Sequence, residues 1–461
     1  MMEVVKIVII GAGAAGTTAG IWARKTDRKA EITLITREPY PEYSRCGLPY
    51  TISRRIPEFT NLITHDAGWY SRFGKMNLLL ETEAVDVNTS DRMVTIRDLK
   101  SGQEKELEYD ALVLATGSKP AFPPIKGVEG KNNVYSLRTI DDARAIHEAA
   151  KKGKNCVIVG AGLIGVETTE ALVELGVNVT IVEFLPSVLP LMIDQDVSDM
   201  IQGALEEHGV SVYVNTAVTE LIGEEKAEKV VMKNRETGEE TSVPVDFVVI
   251  SAGVRPNTEL AVKAGVKLGD TKYIKVDSRA RTSVEGIYAA GDCTEYVDFV
   301  TGQPVPIGMG TIAVRQGKVA GINAAGGDAT MPKGVLLTRI TKVFGVEVAA
   351  VGPITRNLER AGIKPVIGKM TYSSKPEYMP GGKPIRMKLM ADQEGRILGA
   401  QIVGYEDVHQ KINVIAAAMQ ADMNVEELEW LETCYAPISC PTWDIITLTA
   451  EPIVKKLRRK K

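Results

Sequence analysis

Short, almost wholly apolar runs alternate with glycine-rich and helix-compatible stretches in the first part of the chain. Lys6–Ile10 is such a run, and it leads into the turn Gly11–Gly16 and a helix-compatible stretch that ends near Lys25. A second apolar run, Ile32–Thr36, follows. Runs of this length without polar alternation are typical of parallel strands that are buried on both faces. The pattern therefore predicts a β-α-β unit.

The same pattern recurs far downstream. Cys156–Val159 predicts a strand, Gly160–Gly165 a turn, Val166–Leu175 a helix and Val179–Glu183 a second strand. Both turns have the form GxGxxG, and each lies between a predicted strand and a predicted helix, which is the context that this motif requires. Two copies in this context indicate that the chain binds two dinucleotides.

Each glycine of a GxGxxG turn has a physical role. The first glycine permits the tight bend, the second lets a pyrophosphate approach the backbone, and the third packs the helix against the strand. The pyrophosphate then lies at the helix N-terminus, where unpaired N–H groups and the helix dipole favour an anion. The residues expected to bind the two pyrophosphates are Gly11, Gly13, Ala14, Ala15 and Gly16, and Gly160, Gly162, Leu163, Ile164 and Gly165.

The end of the second strand in each unit indicates which dinucleotide is bound. Glu183 ends the second strand of the downstream unit, where a carboxylate can accept the ribose hydroxyls. No Lys or Arg follows until Lys226, so NADH is favoured over NADPH. In the first unit the equivalent position is Thr36, and Glu38 lies two residues later as the expected ribose ligand.

Two further turns follow apolar runs. Leu112–Ala115 predicts a strand that leads into Thr116-Gly117, and Gly286–Ala290 predicts one that leads into Gly291-Asp292. A Gly-Asp pair usually marks only a turn. After a buried strand, in a protein with two dinucleotide units, the carboxylate of Asp292 is expected to bind sugar or ribityl hydroxyls.

Beyond about residue 332 the glycine-rich turns stop and the chain is expected to form a separate α+β part. The expected strands are Val343–Val351, Ile385–Met390 and Ile397–Val403, and the expected helices are Lys411–Ala421 and Val425–Leu431.

Composition and charge narrow the function further. The 461 residues are 44% hydrophobic and 25% charged, with 55 Lys and Arg against 59 Asp and Glu, a formal net charge of −4. Nucleic acid is not expected as a partner, since proteins that bind it usually carry a positive excess. Five cysteines are too few for a disulfide framework and suit a reducing compartment. No apolar run reaches about 18 residues, so no membrane span is expected and the protein is expected to be cytoplasmic.

Cys46 is the candidate for redox chemistry. It lies in the segment Ser44–Tyr50, where Gly-Leu-Pro follows it and is expected to keep it near a turn. A thiolate there would be stabilised by the local dipole and by flanking positive charge, including that of Arg45. A buried, inert cysteine is the common alternative, and composition alone does not decide between the two.

The motifs together resemble the FAD-dependent pyridine nucleotide-disulfide oxidoreductases. Besides the two GxGxxG turns, the resemblance rests on CGLPY at 46–50, ATGSKP at 115–120, GVRPNTELA at 253–261, AAGDC at 289–293 and CYAP at 434–437. It covers essentially the whole chain and points to the single-cysteine branch, which contains coenzyme A-disulfide reductases, polysulfide reductases, NADH oxidases and peroxidases. The two-cysteine branch does not fit, because Thr51 occupies the place of its second redox cysteine and the last histidine is His409.

The resemblance implies an α/β fold and a division of the chain into four segments. Two Rossmann-like dinucleotide-binding domains, as in glutathione reductase, are expected with a C-terminal α+β dimerisation domain. The expected segments are 1–117 and 253–331 for FAD, 118–252 for NADH, and 332–461 for the dimerisation domain.

The resemblance also implies a catalytic cycle and further site residues. Electrons pass from NADH through FAD to a mixed disulfide on Cys46, whose thiolate then attacks the next disulfide or sulfane sulfur. The enzyme is expected to be a homodimer in which the C-terminal domain of one subunit covers the active site of the other. Tyr435 and Tyr378 match tyrosines that can protonate the departing sulfur, and Arg45 and Gly253 join the expected cofactor-binding residues.

Three alternatives remain open at this point. Oxidases and peroxidases of this branch carry a histidine at the position of Ala14, so Ala14 favours sulfur substrates over oxygen. A non-catalytic electron-transfer subunit or NADH sensor has no need for Cys46. Cys434 and Cys440 can form an auxiliary thiol relay, whereas a metal site is not expected from two thiols without a nearby histidine.

The choice of sulfur substrate depends on basic residues. Relatives that use coenzyme A disulfide hold its phosphates with basic side chains, and here Lys25 and Arg45 provide positive charge. Two positions where such relatives place a lysine correspond to Phe73 and Trp443. Because aromatic rings offer no charge-assisted hydrogen bond to a phosphate, weak use of coenzyme A disulfide and better use of smaller sulfur species are expected.

Overall fold

The computed structural model describes residues 4–460, and every element below lies within them. The chain forms two compact units. The first contains the residues up to Leu48, Ile56–Lys119 and Val254–Val335, and the second contains the remainder: Pro49–Arg55, Pro120–Gly253 and the chain from Leu336. The four-segment division expected from the sequence is finer than these two units and stays a prediction. Strands and helices are numbered in chain order.

A parallel five-stranded sheet forms the core of the first unit. Its strands are β1 (Lys6–Ile10), β2 (Glu31–Ile35), β3 (Asn77–Leu79), β7 (Ala111–Leu114) and β19 (Ile287–Ala289). They lie in the order β19-β7-β1-β2-β3. The central strand β1 is buried from Ile7 to Ile10, as its apolar run predicts. The carboxyl ends of β1, β7 and β19 thus meet at one edge of the sheet, where the predicted turns begin.

Helices pack against this sheet. They are α1 (Ala14–Thr26), α3 (Ala67–Arg72) and α8 (Gly310–Ala324), whereas α7 (Glu259–Lys263) packs against the strand Thr82–Asn88. Helix α8 lies so close to α1 that a Cβ atom on Gly317 would come within 2.2 Å of the Ala15 carbonyl oxygen, and one on Gly321 within 2.1 Å of that of Ala19. Only glycine allows this backbone-to-backbone contact.

Smaller elements complete the first unit and the connections from it. β4 (Thr82–Asn88), β5 (Met93–Asp98) and β6 (Glu104–Glu108) form an antiparallel sheet, and β18 (Ile274–Lys275), β20 (Thr294–Val297) and β21 (Pro304–Pro306) form a mixed one. β8 (Ser118–Pro120) pairs with β17 (Val254–Pro256). The remaining elements are α2 (Leu48–Ile52) and two 3-10 turns, Arg45–Gly47 and Phe59–Leu62.

The second unit contains another parallel five-stranded sheet. Its strands are β9 (Val134–Ser136), β10 (Asn155–Val159), β11 (Asn178–Val182), β12 (Ser211–Tyr213) and β16 (Phe247–Ile250). They lie in the order β12-β11-β10-β16-β9. The helices of this part are α4 (Ile140–Lys152), α5 (Leu163–Glu174) and α6 (Gln195–Glu207), and an antiparallel sheet is formed by β13 (Thr216–Ile222), β14 (Lys229–Asn234) and β15 (Glu240–Pro244).

The C-terminal part is an antiparallel sheet with helices. Its strands are β22 (Arg339–Val343), β23 (Val346–Val351), β24 (Val366–Ser373), β25 (Pro384–Ala391) and β26 (Ile397–Gly404). They lie in the order β22-β23-β26-β25-β24. The helices are α9 (Thr355–Arg360), α10 (Val408–Gln420), α11 (Val425–Glu429) and α12 (Ile445–Arg458). Two parallel sheets with glycine-rich turns and an α+β C-terminal part confirm the predicted fold class.

The predicted single strand Val343–Val351 is wrong, because the chain reverses at Phe344-Gly345 to form the β22–β23 hairpin. Phe344 has φ 48° and Gly345 φ 81°. Positive φ at both central residues is the geometry of a two-residue turn whose twist matches the flanking strands. The Phe344 side chain hid this turn from the sequence pattern, since a glycine or asparagine is usual there.

A buried lysine joins α6 to the C-terminal sheet. Lys388 on β25 is 5% exposed, and its Nζ lies 2.8 Å from Asp194 and 2.9 Å from Asp196 at the start of α6. Asp194 also accepts hydrogen bonds from the Thr355 hydroxyl (2.6 Å) and the Gln401 amide (2.9 Å). The ammonium is therefore paired on both sides, as a buried charge has to be.

Candidate active site

The first glycine-rich turn has the geometry that its motif predicts. Gly11 has φ 108°, and a Cβ atom there would lie 2.1 Å from the Ala115 carbonyl oxygen. A Cβ atom on Gly16 would lie 1.8 Å from the Gly11 carbonyl oxygen. A Cβ atom on Gly13, in contrast, would meet nothing within 4 Å, so the backbone there is open to a ligand. Ala14 and Ala15 follow as the first residues of α1.

The second turn repeats this geometry. Gly160 also has φ 108°, and its Cβ would lie 2.6 Å from the Ser251 carbonyl oxygen. A Cβ on Gly165 would lie 2.0 Å from the Gly160 carbonyl oxygen, whereas Gly162 is open. Leu163 and Ile164 form the first turn of α5.

Both turns fit a pyrophosphate. Gly13 caps α1 and Gly162 caps α5, and neither helix has a side-chain hydrogen bond at its cap. The first N–H groups of each helix are thus left for a ligand, and the helix dipole favours an anion there. This donor set suits the two expected dinucleotides, FAD at the first turn and NADH at the second.

Glu38 belongs to a cluster of polar side chains after β2. Its Oε2 accepts a hydrogen bond from the Tyr43 hydroxyl (2.6 Å), and its Oε1 accepts one from Arg45 Nη2 (2.5 Å). Burial lowers the pKa of Arg45, but the charges of Tyr43 and Glu38 outweigh burial and raise it overall. Glu38 therefore compensates the charge of Arg45, which the sequence analysis expected to stabilise a thiolate at Cys46. The hydroxyl of Thr36 accepts a hydrogen bond from the Glu38 backbone (3.3 Å).

Glu183 lies directly after β11, as predicted, but its carboxylate is 8% exposed and bound to the backbone. Oε2 accepts a hydrogen bond from Ala161 N (2.7 Å) and Oε1 accepts one from Leu185 N (2.8 Å). Burial raises the pKa of Glu183, although these hydrogen bonds act in the opposite direction. The carboxylate thus ties the second glycine-rich turn to the loop after β11.

The turn at Thr116-Gly117 is joined to the later segment GVRPN. The Thr116 hydroxyl donates to the Asn257 carbonyl oxygen (2.6 Å), and the Asn257 amide donates to the Thr116 carbonyl oxygen (2.9 Å). Asn257 N also donates to the Gly117 carbonyl oxygen (2.9 Å). Sequence reasoning missed the role of Asn257 because 141 positions separate it from Thr116. Gly253, at the start of GVRPN, has φ 99° and accepts a hydrogen bond from Ala121 N (2.9 Å).

Asp292 follows β19 beside the first glycine-rich turn. Gly291 has φ 84°, and a Cβ there would lie 2.9 Å from the Ala15 side chain, so this turn lies against the start of α1. The Ser118 hydroxyl lies 3.4 Å from the Asp292 carboxylate. Gln316 on α8, which the sequence did not single out, is fully buried and accepts hydrogen bonds from Gly291 N (2.7 Å) and the Thr294 hydroxyl (2.8 Å).

Cys46 is exposed and lies in the middle of the 3-10 turn Arg45–Gly47. A Cβ on Gly47 would lie 2.4 Å from a methyl carbon of Leu62, so a larger residue directly after the cysteine would displace the Leu62 side chain. Helix α2 begins at once at Leu48, with Pro49 in its first turn. Gly-Leu-Pro therefore starts a helix instead of preventing one, since proline is well tolerated in a first turn.

The structure brings the two predicted tyrosines together. The hydroxyl oxygens of Tyr378 and Tyr435 lie 2.6 Å apart, and both side chains are exposed. Cys434 is exposed, and Cys440 Sγ lies 3.2 Å from the Cys434 carbonyl oxygen. The Cys440 thiol thus lies against the backbone of the segment that carries Tyr435.

The two positions where a lysine is expected in users of coenzyme A disulfide are also exposed. Phe73 is 70% exposed and Trp443 is 63% exposed, so both rings are accessible to a ligand. Cys156 and Cys293 are buried, and burial raises the pKa of both thiols, which suits a structural role.

Membrane-spanning and metal-binding features are both missing from residues 4–460. In that part of the chain, no helix is both long and apolar enough to cross a lipid bilayer. Within the same residues, no three His, Cys, Asp or Glu side chains are grouped so that they could hold a metal ion.

Comparison with known proteins identifies the family. Residues 5–317 match the model of the pyridine nucleotide-disulphide oxidoreductases, and residues 338–443 match the dimerisation domain of the same family. The second match supports the predicted homodimer.

The relatives come from both activity classes expected from the sequence. The chain is 39% identical to a protein named NADH oxidase from Methanocaldococcus jannaschii, over 99% of this chain and 100% of that one. It is 33% identical to an NAD(P)H coenzyme A polysulfide/persulfide reductase from Pyrococcus horikoshii, over 96% and 97% of the two chains. A solved NAD-dependent persulfide reductase from A. fulgidus superimposes with a TM-score of 0.93 at 36% identity, covering 99% of this chain and 84% of that one.

These matches confirm the predicted resemblance, the predicted enzyme class and the predicted cofactors, FAD and NADH, which are those of the family. The chain belongs to the pyridine nucleotide-disulphide oxidoreductase family.

Proposed function

We propose that this protein is an NADH-dependent, FAD-containing enzyme that reduces a small disulfide, persulfide or polysulfide through Cys46. The observation that carries the proposal is the exposure of Cys46 in its tight turn, with Thr51 in place of a second redox cysteine. Thr51 is fully buried in α2. A single accessible thiol suits chemistry in which the substrate itself supplies the second sulfur.

The two glycine-rich turns bind different cofactors in this proposal. FAD binds at the turn Gly11–Gly16. Glu38, Thr116 and Asp292 lie near this turn in sequence or sheet order. The turn at Gly160–Gly165, with Glu183, holds NADH. When bound, FAD takes up hydride from NADH and supplies two electrons for the reduction of a disulfide.

Cys46 acts as the nucleophile. Its thiolate attacks one sulfur of the substrate, the substrate S–S bond breaks, and a mixed disulfide forms as the other half leaves as a thiolate. Two electrons then reduce the mixed disulfide, which releases the second half and restores the Cys46 thiolate. A reducing cytoplasm suits this cycle, because the resting cysteine has to remain a thiol.

The tyrosine pair provides the proton for the departing sulfur. In the proposed homodimer, Tyr378 and Tyr435 of one subunit lie over Cys46 of its partner. A hydroxyl placed within hydrogen-bonding distance of the leaving thiolate protonates it and keeps it from attacking the mixed disulfide again. Cys434 and Cys440 belong to the same segment as Tyr435. As a second element of the proposal, they form an auxiliary thiol relay.

Two features favour small sulfur substrates. Ala14, at the start of α1, has no group that can transfer a proton to a peroxide or to reduced oxygen. Phe73 and Trp443 present exposed aromatic rings and not ammonium groups. The phosphates of coenzyme A would forgo charge-assisted hydrogen bonds at both positions, each of which is typically worth about 1.5–3 kcal/mol.

A second candidate function is reduction of oxygen by NADH. It is favoured by the 39% identical relative from Methanocaldococcus jannaschii, which is named NADH oxidase. A non-catalytic electron-transfer subunit is disfavoured, since such a protein has no need for an exposed cysteine in a 3-10 turn.

The test is a set of assays of NADH consumption by the FAD-loaded homodimer. Polysulfide, coenzyme A persulfide, coenzyme A disulfide and cystine are the acceptors in anaerobic buffer, and oxygen is the acceptor in a separate assay in air-saturated buffer. We expect polysulfide or a small persulfide to give the highest kcat/KM. Faster turnover with oxygen than with every sulfur acceptor would overturn the proposed function in favour of the oxidase. Low-micromolar KM with fast turnover for coenzyme A disulfide would overturn only the preference for small substrates.

A further inference from the structure

A basic side chain lies beside the loop after β11, although it is far away in the sequence. Arg235 follows β14, 51 positions beyond Phe184. Its guanidinium carbon lies 3.7 Å from the centre of the Phe184 ring. Its Nη1 also donates a hydrogen bond to the Phe184 carbonyl oxygen (2.9 Å). The expectation that no basic group accompanies Glu183 considered only the residues up to Lys226, so it overlooked this cation.

The fold holds Arg235 at this position through its backbone as well. Arg235 N donates to the Asn215 carbonyl oxygen (2.7 Å), and Asn215 N donates to the Leu185 carbonyl oxygen (3.0 Å). The turn after β14 is therefore hydrogen-bonded to the loop that begins at Glu183. Stacking on an aromatic ring and a carbonyl contact orient a guanidinium that would otherwise be mobile.

The two charged groups next to Phe184 differ in what they offer a ligand. The Glu183 carboxylate is buried, and each of its oxygens already accepts a backbone hydrogen bond. Arg235 is exposed, and Phe184 occupies only one of the five N–H groups of a guanidinium. The neighbouring carboxylate of Glu236 accepts a hydrogen bond from the Asn215 side-chain amide (3.2 Å). Arg235 is thus an exposed cation beside the loop with donors to spare, next in the chain to the exposed carboxylate of Glu236.

We propose that Arg235 binds the 2′-phosphate of NADPH, so that the enzyme uses NADPH as a second, less efficient nucleotide. The end of the second strand in a β-α-β unit is where the 2′ position of the adenosine ribose is recognised, by a carboxylate for a hydroxyl or by a nearby arginine for a phosphate. Here Glu183 supplies the first group and Arg235 the second. The proposal rests on the proposed function, because that function assigns NADH to the turn at Gly160–Gly165.

The kinetic test compares Arg235→Ala with Lys233→Ala. Lys233 is exposed near the end of the same strand, so its replacement removes an equal charge without touching Phe184. Activity is measured with ferricyanide as the electron acceptor, which makes the result independent of the sulfur substrate. We expect the ratio of kcat/KM for NADPH to that for NADH to fall about tenfold in Arg235→Ala, and by less than about twofold in Lys233→Ala. An unchanged ratio in Arg235→Ala, or an equal fall in both variants, would overturn the proposal.

A binding experiment gives an answer that does not depend on turnover. Calorimetry of the FAD-loaded enzyme compares adenosine 2′,5′-bisphosphate with 5′-AMP, which differ only in the 2′-phosphate. We expect the bisphosphate to lose about tenfold in affinity on Arg235→Ala, with a smaller loss in Arg235→Lys, which keeps the charge. Equal losses for both nucleotides in Arg235→Ala would overturn the proposal and leave the proposed function standing. Failure of the unaltered enzyme to bind either nucleotide would overturn both.

Discussion

The hydroxyl groups of Tyr378 and Tyr435 form a hydrogen bond of 2.6 Å across 57 positions of the chain. This hydrogen bond raises the pKa of Tyr378, with a smaller contribution from burial. Either hydroxyl can be the donor of this hydrogen bond. In both cases the accepting hydroxyl keeps its own proton for a ligand, so the pair can protonate a departing sulfur.

This relationship predicts the effects of two matched substitutions. Tyr435→Phe should lower kcat for the sulfur substrate by about a hundredfold, because it removes a general acid. Tyr378→Phe should lower kcat by about tenfold or more, because Tyr435 loses the hydrogen-bond partner that orients its hydroxyl. Steady-state kinetics of both variants test this, with Tyr372→Phe on β24 as the control for loss of a tyrosine hydroxyl. Equal rates in all three variants would contradict a catalytic part for the pair.

Cys46→Ser should lower the rate of disulfide and polysulfide reduction by several orders of magnitude, because the nucleophile is lost. The variant should keep its FAD, because the glycine-rich turns are intact. Visible absorption of the bound flavin and NADH consumption measure the two properties. Mass spectrometry after exposure to substrate should detect a mixed disulfide on the unaltered protein and none on the variant. Cys434→Ser is the comparison variant, since Cys434 is also exposed, and a much smaller loss there would support an auxiliary role for that thiol. Full activity of Cys46→Ser would refute the assignment.

Glu183 should make NADH the better nucleotide, because its carboxylate repels a 2′-phosphate. Glu183→Gln keeps the shape of the side chain and removes the charge. We expect kcat/KM for NADH to exceed that for NADPH in the unaltered enzyme, and the preference to narrow by about tenfold or more in the variant. Equal or better use of NADPH by the unaltered enzyme would contradict this prediction.

Lys388→Met should destabilise the protein by about 3–5 kcal/mol, because it leaves the carboxylate of Asp194 buried without its cation. Lys369→Met is the control: Lys369 also pairs with Asp196, but its side chain is 58% exposed. The loss for Lys369→Met should remain below about 1 kcal/mol. Urea unfolding measures the free energy of unfolding of both variants. Equal losses of this free energy would show that burial of the ammonium does not determine how much the pair stabilises the fold.

Acid should weaken the same cluster. Burial raises the pKa of Asp196, but hydrogen bonds from Lys369 and Lys388 outweigh it and hold the pKa below its ordinary value. A lowered pKa in the folded state means that the carboxylate stabilises the fold above its unfolded pKa of about 4, and that this contribution is lost as the pH falls through the folded pKa. We therefore measure the free energy of unfolding in urea between pH 7 and pH 3. Below about pH 4 this free energy should fall less steeply for Asp196→Asn than for the unaltered protein. Identical slopes would exclude Asp196 from the acid response.

The parts of the structure that were predictable depend on residues close in sequence. Gly11 and Gly160 could be placed in tight turns because a glycine between an apolar run and a helix has few other uses. Cys46 could be singled out because its neighbours carry a recognisable pattern. The start of α2 directly after the cysteine was not foreseen, since Pro49 suggests a break until its place in the first turn is known.

The parts that were missed depend on contacts between distant segments. Arg235 reaches Phe184 only because β14 turns back beside the loop after β11. Asn257 reaches Thr116 only because β17, which ends just before it, pairs with β8, which begins just after Thr116. The hydrogen bond between Tyr378 and Tyr435 is of the same kind. Polar side chains brought together in this way leave no periodic pattern along the chain, so hydrophobic spacing cannot reveal them.

The pairing of β19 with β7 in the first sheet has a consequence for the order of events during synthesis. Residues 287–289 complete an edge of a sheet whose other strands were all made before residue 115. The strands and helices of the second parallel sheet, from Val134 to Ile250, emerge from the ribosome in one uninterrupted stretch. Because domains generally fold as they emerge, this later sheet can be finished while the earlier one still lacks its edge strand and α8. The incomplete first sheet therefore exposes an unpaired strand edge during synthesis and needs protection from unwanted strand pairing.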